Sequence, residues 1–167
     1  MTHGDIAKAA LWVAAWEGPF HDDPNDPGGA TAWGVSLRYH PDLTVDQLRQ
    51  WTQVQGAAFL ATHYWPKNAD KLPVGIATAF LAFSVLEGPI EAVRQLQRAT
   101  GAAVDGQIGP ETVAAAARLP LGWVSEMQPG LLVSFYRACM EHLQANSPNW
   151  SRDGAGWATR QMAASIA

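Results

Sequence analysis

Three residues have the types and spacing to do acid–base chemistry. Glu17 closes an apolar run, Asp26 follows in a loop crowded with turn-forming residues, and Thr31 stands just beyond it. Hydrolysis of a glycosidic bond needs one protonated acid to give a proton to the leaving oxygen, and a second, ionised carboxylate to activate water or attack the sugar. Glu17 is the candidate acid, and Asp26, in a polar and solvated loop, is the candidate second carboxylate. Two such environments push two carboxyl groups apart in acidity. The hydroxyl of Thr31 both donates and accepts hydrogen bonds, so it could orient a water. Asp22 or Asp23 could fill the second role instead, and aspartates beside Asn and Pro also brace turns.

The elements around these residues must place them. Ile6, Ala10 and Val13 recur at helical spacing, and continuing that stripe by four brings the same face to Glu17. Gly18 and Pro19 end the helix there, because glycine suits the C-terminal cap and proline cannot continue the hydrogen-bond ladder. Glu17 is thus expected at the negative pole of a helix, in line with its buried face, where both influences favour a neutral carboxylic acid. From Phe20 to Thr31 no period survives, and Gly28 and Gly29 supply backbone freedom for turns. Ala30 to Ser36 is expected to form a short strand, part of a small hairpin at most.

The rest reads as helical. Thr44 and Gln47 form a capping-box signature for a helix running through Trp51, and Val54 to Trp65 forms another, stopped by Pro66. Val74 to Val85 is an apolar helix, the most buried of the set, and Pro89 opens one that runs to Thr100. Val104 to Leu119 is a compact turn feeding a helix with Pro110 at its first position. Leu131 to Leu143 is helical, Leu121 to Gly130 and Asn146 to Gly156 are connections, and Trp157 to Ile166 closes the chain as a short helix.

Composition removes several classes of function. At 167 residues the chain is one domain in size, and a 48% apolar content is enough for a real core. A formal charge of −4, with lysine and arginine scattered singly, gives no basic stripe for nucleic acid. Cys139 is the only cysteine, so no internal disulfide forms. The five histidines, His3, His21, His40, His63 and His142, show no metal-ligand spacing, which argues against zinc. A calcium loop counted from Asp23 fails, because its fifth position is Pro27 and its twelfth is Gly34. No cofactor is expected. The apolar run before Glu17 is too short to span a bilayer and lacks a cleavage site, so a protein made in the cytoplasm is expected, with no integral membrane segment. Eight tryptophans are many for this length, and some could stack on sugar rings.

The segment from Glu17 to Val35 resembles the signature of glycoside hydrolase family 108, lysozyme-like phage and prophage endolysins. Glu17, Gly18, Phe20, Pro24, Asp26, Gly28, Gly29, Thr31, Trp33, Gly34 and Val35 stand in the family's places. HYWPKNADKLP, from His63 to Pro73, is similar to the family's tyrosine-tryptophan element. LQRATGAAVDGQIGPETVAA resembles its peptidoglycan-binding C-terminal part, and Gly156, Trp157 and Arg160 look like its closing element.

The resemblance implies a mainly α (α+β) fold: a lysozyme-like helical domain with a small hairpin and loop lobe. Residues 1–88 would be the catalytic part, with its active-site loop at 17–35, and residues 89–167 a helical peptidoglycan-binding-like part packed on it. It implies an N-acetylmuramidase cutting the β-1,4 bond between N-acetylmuramic acid and N-acetylglucosamine, with Glu17 as the catalytic glutamate. Asp26 and Thr31 also fall at the spacing of the aspartate and threonine of phage-type lysozymes. Carboxyl groups about 6.5–9.5 Å apart would give inversion, and about 5 Å retention. Trp33, Tyr64 and Trp65 could line a glycan cleft, although Tyr64 and Trp65 could equally pack between helices. Asp105 could touch glycan or only cap its own turn. A monomer is expected, reaching the cell wall after holin-type release or as a virion component.

Three departures from the family pattern stand out. Pro19 replaces a second glycine, Ala82 an aspartate and Leu86 an asparagine, with Glu87 the nearest polar substitute. They motivate a rival from another class, a cell-wall-binding or secretion-assisting protein without catalysis. A transglycosylase forming an anhydro product is a third possibility.

Overall fold

A computed structural model describes residues 1–22, 29–121 and 130–147. Within them the protein is mainly α, with one two-stranded antiparallel sheet. Helix α1 spans His3–Glu17, strands β1 and β2 span Thr31–Ala32 and Val35–Ser36, and helices α2 and α3 span Val45–Gln50 and Gln53–His63. Two 3-10 turns, Ala69–Lys71 and Val74–Ile76, lead into α4 (Ala77–Glu87), α5 (Pro89–Thr100), α6 (Pro110–Arg118) and α7 (Leu131–Asn146).

Local chemistry accounts for most of the boundaries. α1, α2 and α3 each open on a capping box, with Thr2, Thr44 and Thr52 paired to Asp5, Gln47 and Gln55. Each box satisfies backbone amides that a helix start leaves without partners. α5 and α6 instead carry proline in the first turn, where the missing N–H costs nothing. Gly18, at φ +83°, ends α1, and its N–H still donates to Ala14 O at 3.0 Å.

α4 is the central helix. Phe80, Leu81, Ala82, Phe83 and Ser84 are all buried, and the Ser84 hydroxyl is satisfied by Phe80 O at 2.9 Å. α1 packs on α3 and α4 through Ala9, Ala10, Val13 and Ala14, small side chains that let helices approach closely. On the far side α5 packs against α4 and α7, where Phe135 meets both Phe80 and Phe83. One apolar core therefore runs from Ala9 to Leu143.

Several sequence expectations are adjusted. The segment expected as one strand is a complete hairpin, with Ala32 paired to Val35 and Thr31 to Ser36. α4 starts at Ala77, because Val74–Ile76 closes a 3-10 turn first, and it ends at Glu87. α3 stops at His63 rather than Trp65, and α7 continues past Leu143 to Asn146. The expected closing helix and most of the two late connections lie outside the described residues.

Candidate active site

Glu17 is the last residue of α1 and is half-buried, continuing the face that Ala10, Val13 and Ala14 bury. The chain leaving it is tied at once to the hairpin. The Trp33 N–H donates to Gly18 O at 2.7 Å, and His21 and Thr31 exchange both backbone hydrogen bonds at 2.8 Å. Thr31 thus lies within the same small sheet that abuts the end of α1, and it is half-buried. Asp26 and its alternative Asp23 lie outside the described residues, while Asp22 is exposed.

The hairpin reverses through Trp33 and Gly34, with φ of +54° and +86°. Two positive angles between paired strands make a type I′ turn, whose usual residues are Asn or Gly. Tryptophan in the left-handed region carries a strain of about 1–3 kcal/mol, which persists only where surrounding contacts hold it. Here the indole N–H donates to Trp51 O at 2.9 Å, and the side chain sits directly over Gly56 of α3. Gly34 is needed for space as well as angle. A β-carbon there would stand 3.0 Å from Glu17 Cγ and 3.3 Å from Val85 Cγ1.

Val85 also lines a cleft of about 430 Å³, with Leu86 beside it. Tyr39, His40, His63 and Tyr64 form its aromatic wall, and Glu87 contributes a carboxylate. The His40 Nε2 and Tyr64 hydroxyl are hydrogen-bonded at 2.9 Å, so each fixes the other's orientation. His63 stacks on Phe59 at 3.8 Å, and His40 meets the edge of Phe59. Burial, and then the neighbouring His63, hold His40 below the ordinary histidine range, with Asp42 opposing. Burial likewise pushes the Tyr64 phenol up, with Tyr39 adding to the effect. The pair is therefore uncharged near neutral pH, with a phenol and an imidazole as hydrogen-bonding groups on the wall.

The other named residues divide. Tyr64 lines the cleft, as expected of it. Trp65 instead packs edge-on against Phe80, and its buried indole N–H has no partner among the described residues, so its surroundings are those of the core. Asp105 caps its own turn, accepting from the Gln107 N–H at 2.8 Å and from Gln97 Nε2 at 2.6 Å. Those hydrogen bonds keep its carboxyl below the usual range. Gln97, fully buried, is the centre of that turn: it also accepts from the Gly106 N–H at 2.9 Å and contacts Gln107 O and the Thr112 hydroxyl.

Sequence reasoning missed Tyr39, His40 and His63 as cleft residues. One signal was available, since Phe59 and His63 stand one helical turn apart on α3. Ala82 is buried inside α4, and Leu86 lines the cleft. Glu87 lies at the same edge of the cleft, 3.5 Å from His142 Nε2 of α7. Among the described residues no group of three or more His, Cys, Asp or Glu could hold a metal ion. No helix among them is long and apolar enough to cross a membrane.

Comparison with known proteins finds one family model and several solved structures. Residues 10–88 match the sequence model of the family described as Glycosyl hydrolase 108. No curated protein matches. Among solved structures, Brucella abortus SagA is similar over 99% of this chain and 94% of its own, with 29% identity and a TM-score of 0.80. The family match ends at Gly88, so the helices beyond it are covered by the structural likeness alone. The matched stretch holds Glu17, Thr31, Trp33, Tyr64 and the aromatic wall of the cleft, so the similarity to glycosyl hydrolase 108 falls on the residues of the candidate site.

Proposed function

We propose that this protein is a peptidoglycan hydrolase that cleaves the β-1,4 bond between N-acetylmuramic acid and N-acetylglucosamine. The observation that carries the reading is the seating of Glu17. It ends a buried helix face, the hairpin backbone at Gly34 lies close against it, and Val85, which approaches the same point of Gly34, lines the cleft. In this reading the aromatic wall of the cleft is the surface that holds the glycan strand, with Val85 joining it to the contact between Gly34 and Glu17.

In the proposed reaction Glu17 gives its proton to the glycosidic oxygen as the bond to the anomeric carbon breaks. Asp26 takes the second role, drawing a proton from the attacking water or bonding the anomeric carbon itself, and Thr31 orients the water. The products are two shorter strands, one with a new reducing end. The Tyr64–His40 pair and Glu87 supply hydrogen bonds to the hydroxyl and acetamido groups of the sugars. The site of action is the bacterial cell wall, as an endolysin released to it or a virion component.

The test is digestion of purified sacculi followed by mass spectrometry of the released muropeptides. Reducing ends support hydrolysis, and 1,6-anhydro ends would replace it with transglycosylation. A second reading, a wall-binding or secretion-assisting protein without catalysis, is favoured by the apolar Ala82 and Leu86 where relatives are polar. Binding to sacculi with no new ends of either kind would establish that reading instead.

A further inference from the structure

We infer that Trp33 is a positioning residue for Glu17 rather than a sugar-stacking platform. The inference rests on the reading of Glu17 as the acid, and it assigns Trp33 a different role from the one its aromatic ring suggests in the sequence.

Four observations converge on this side chain. Its backbone sits at φ +54°, a conformation that a tryptophan does not adopt unless its surroundings hold it. Its N–H grips Gly18 O at 2.7 Å, on the residue that follows Glu17. Its only polar side-chain atom is committed to Trp51 O at 2.9 Å, at the junction of α2 and α3. The root of the side chain rests on Gly56, where a β-carbon would stand 2.3 Å from Trp33 Cβ and 2.9 Å from its Cγ.

These contacts connect the start of α3 to the end of α1 through one residue. Trp33 fixes the hairpin turn, and the turn sets Gly34 close to both Glu17 (Cγ and Cβ) and Val85. The choice of rotamer at Glu17 is therefore narrowed by backbone, and the backbone is held by the indole. An Asn-Gly or Gly-Gly turn would form the same hairpin without strain but would have nothing to hold on to α3. A tryptophan whose N–H is occupied also has no donor left for a sugar hydroxyl.

Two variants test this from opposite sides. Trp33→Phe keeps a ring and deletes the bond to Trp51, and Gly56→Ala leaves the tryptophan itself unchanged but pushes it off its seat. Both are measured for Glu17 titration by carbon-13 NMR in the absence of substrate, with Glu17→Gln assigning the resonance, and both for steady-state cleavage of sacculi. The expected result is a displaced Glu17 titration in both variants and a kcat lower by up to ~100-fold, the loss a misplaced catalytic group produces. KM stays within about twofold, because ground-state binding is untouched. Unmoved Glu17 titration in the folded variants overturns the inference. So does a raised KM at constant kcat, with weaker sedimentation of Trp33→Phe on sacculi in the Glu17→Gln background, which is the behaviour of a stacking platform. If the wild type cleaves nothing, the hydrolase reading fails, while the titration still decides the role of Trp33.

Discussion

The backbone of Gly34 runs so close to Glu17 that a β-carbon on Gly34 would stand 3.0 Å from Glu17 Cγ. A single alanine there meets two obstacles at once, the contact with the acid and a φ of +86°. Gly34→Ala is expected to cost about 1–2 kcal/mol in stability from the angle alone. Turnover should fall further than stability explains, because the added methyl displaces Glu17. Thermal unfolding and sacculus digestion on one preparation check both parts. A variant with normal turnover would mean that the contact does not constrain the acid.

Tyr64 faces the cleft with its hydroxyl bonded to His40. Tyr64→Phe removes one neutral hydrogen bond from the wall, so KM for glycan fragments should rise by about 2- to 10-fold, equivalent to roughly 0.5–1.5 kcal/mol. kcat should change little if the residue binds substrate without touching the reacting atoms. A drop in kcat at constant KM would move Tyr64 into the chemistry.

His40 sets a pH dependence whose sign follows from its lowered pKa. The unfolded chain takes up the proton first, at the ordinary value near 6.5, while burial and His63 resist it in the folded protein. The contribution of His40 is therefore fully present above about pH 6.5 and lost as pH falls toward the folded value. His40→Gln should lose less Tm than the wild type between about pH 7 and about pH 5. Parallel curves for the two proteins would contradict this.

The turn after α5 depends on a buried amide. Gln97→Leu has nearly the same volume but strips partners from the Gly106 N–H and the buried Thr112 hydroxyl, so it should cost about 1–3 kcal/mol in denaturant unfolding. Asp105→Asn should leave KM for glycan unchanged, since the Asp105 carboxylate caps its own turn. A raised KM would show that the turn touches the strand.

Most helix ends were legible because single residues announce them. Pro89 and Gly101 bracket α5, Pro110 opens α6, and Gly18 with Pro19 ends α1 on Glu17, each by a local backbone rule. The tight turn within the hairpin was not legible, because its first residue is a tryptophan where the rule asks for Asn or Gly, and only contacts far along the chain hold it there. The cleft was hidden for a similar reason: His40 and Tyr64 are 24 residues apart, and no period joins a loop histidine to the end of a helix. Trp65 shows the converse, since an aromatic next to a cleft residue in sequence points to the core in space. Thr31 lies in the hairpin, while Asp26 falls outside the described residues.

Glu17→Gln is the most direct test of the central claim. Glutamine keeps the size and hydrogen-bonding reach of the side chain but has no proton to give the leaving oxygen. Wild type and variant are compared for release of reducing ends from purified sacculi, with sedimentation on the same sacculi as the measure of binding. The account predicts that binding survives and that release of ends falls by about 100-fold or more, the contribution of a general acid. Equal release by the two proteins would contradict it.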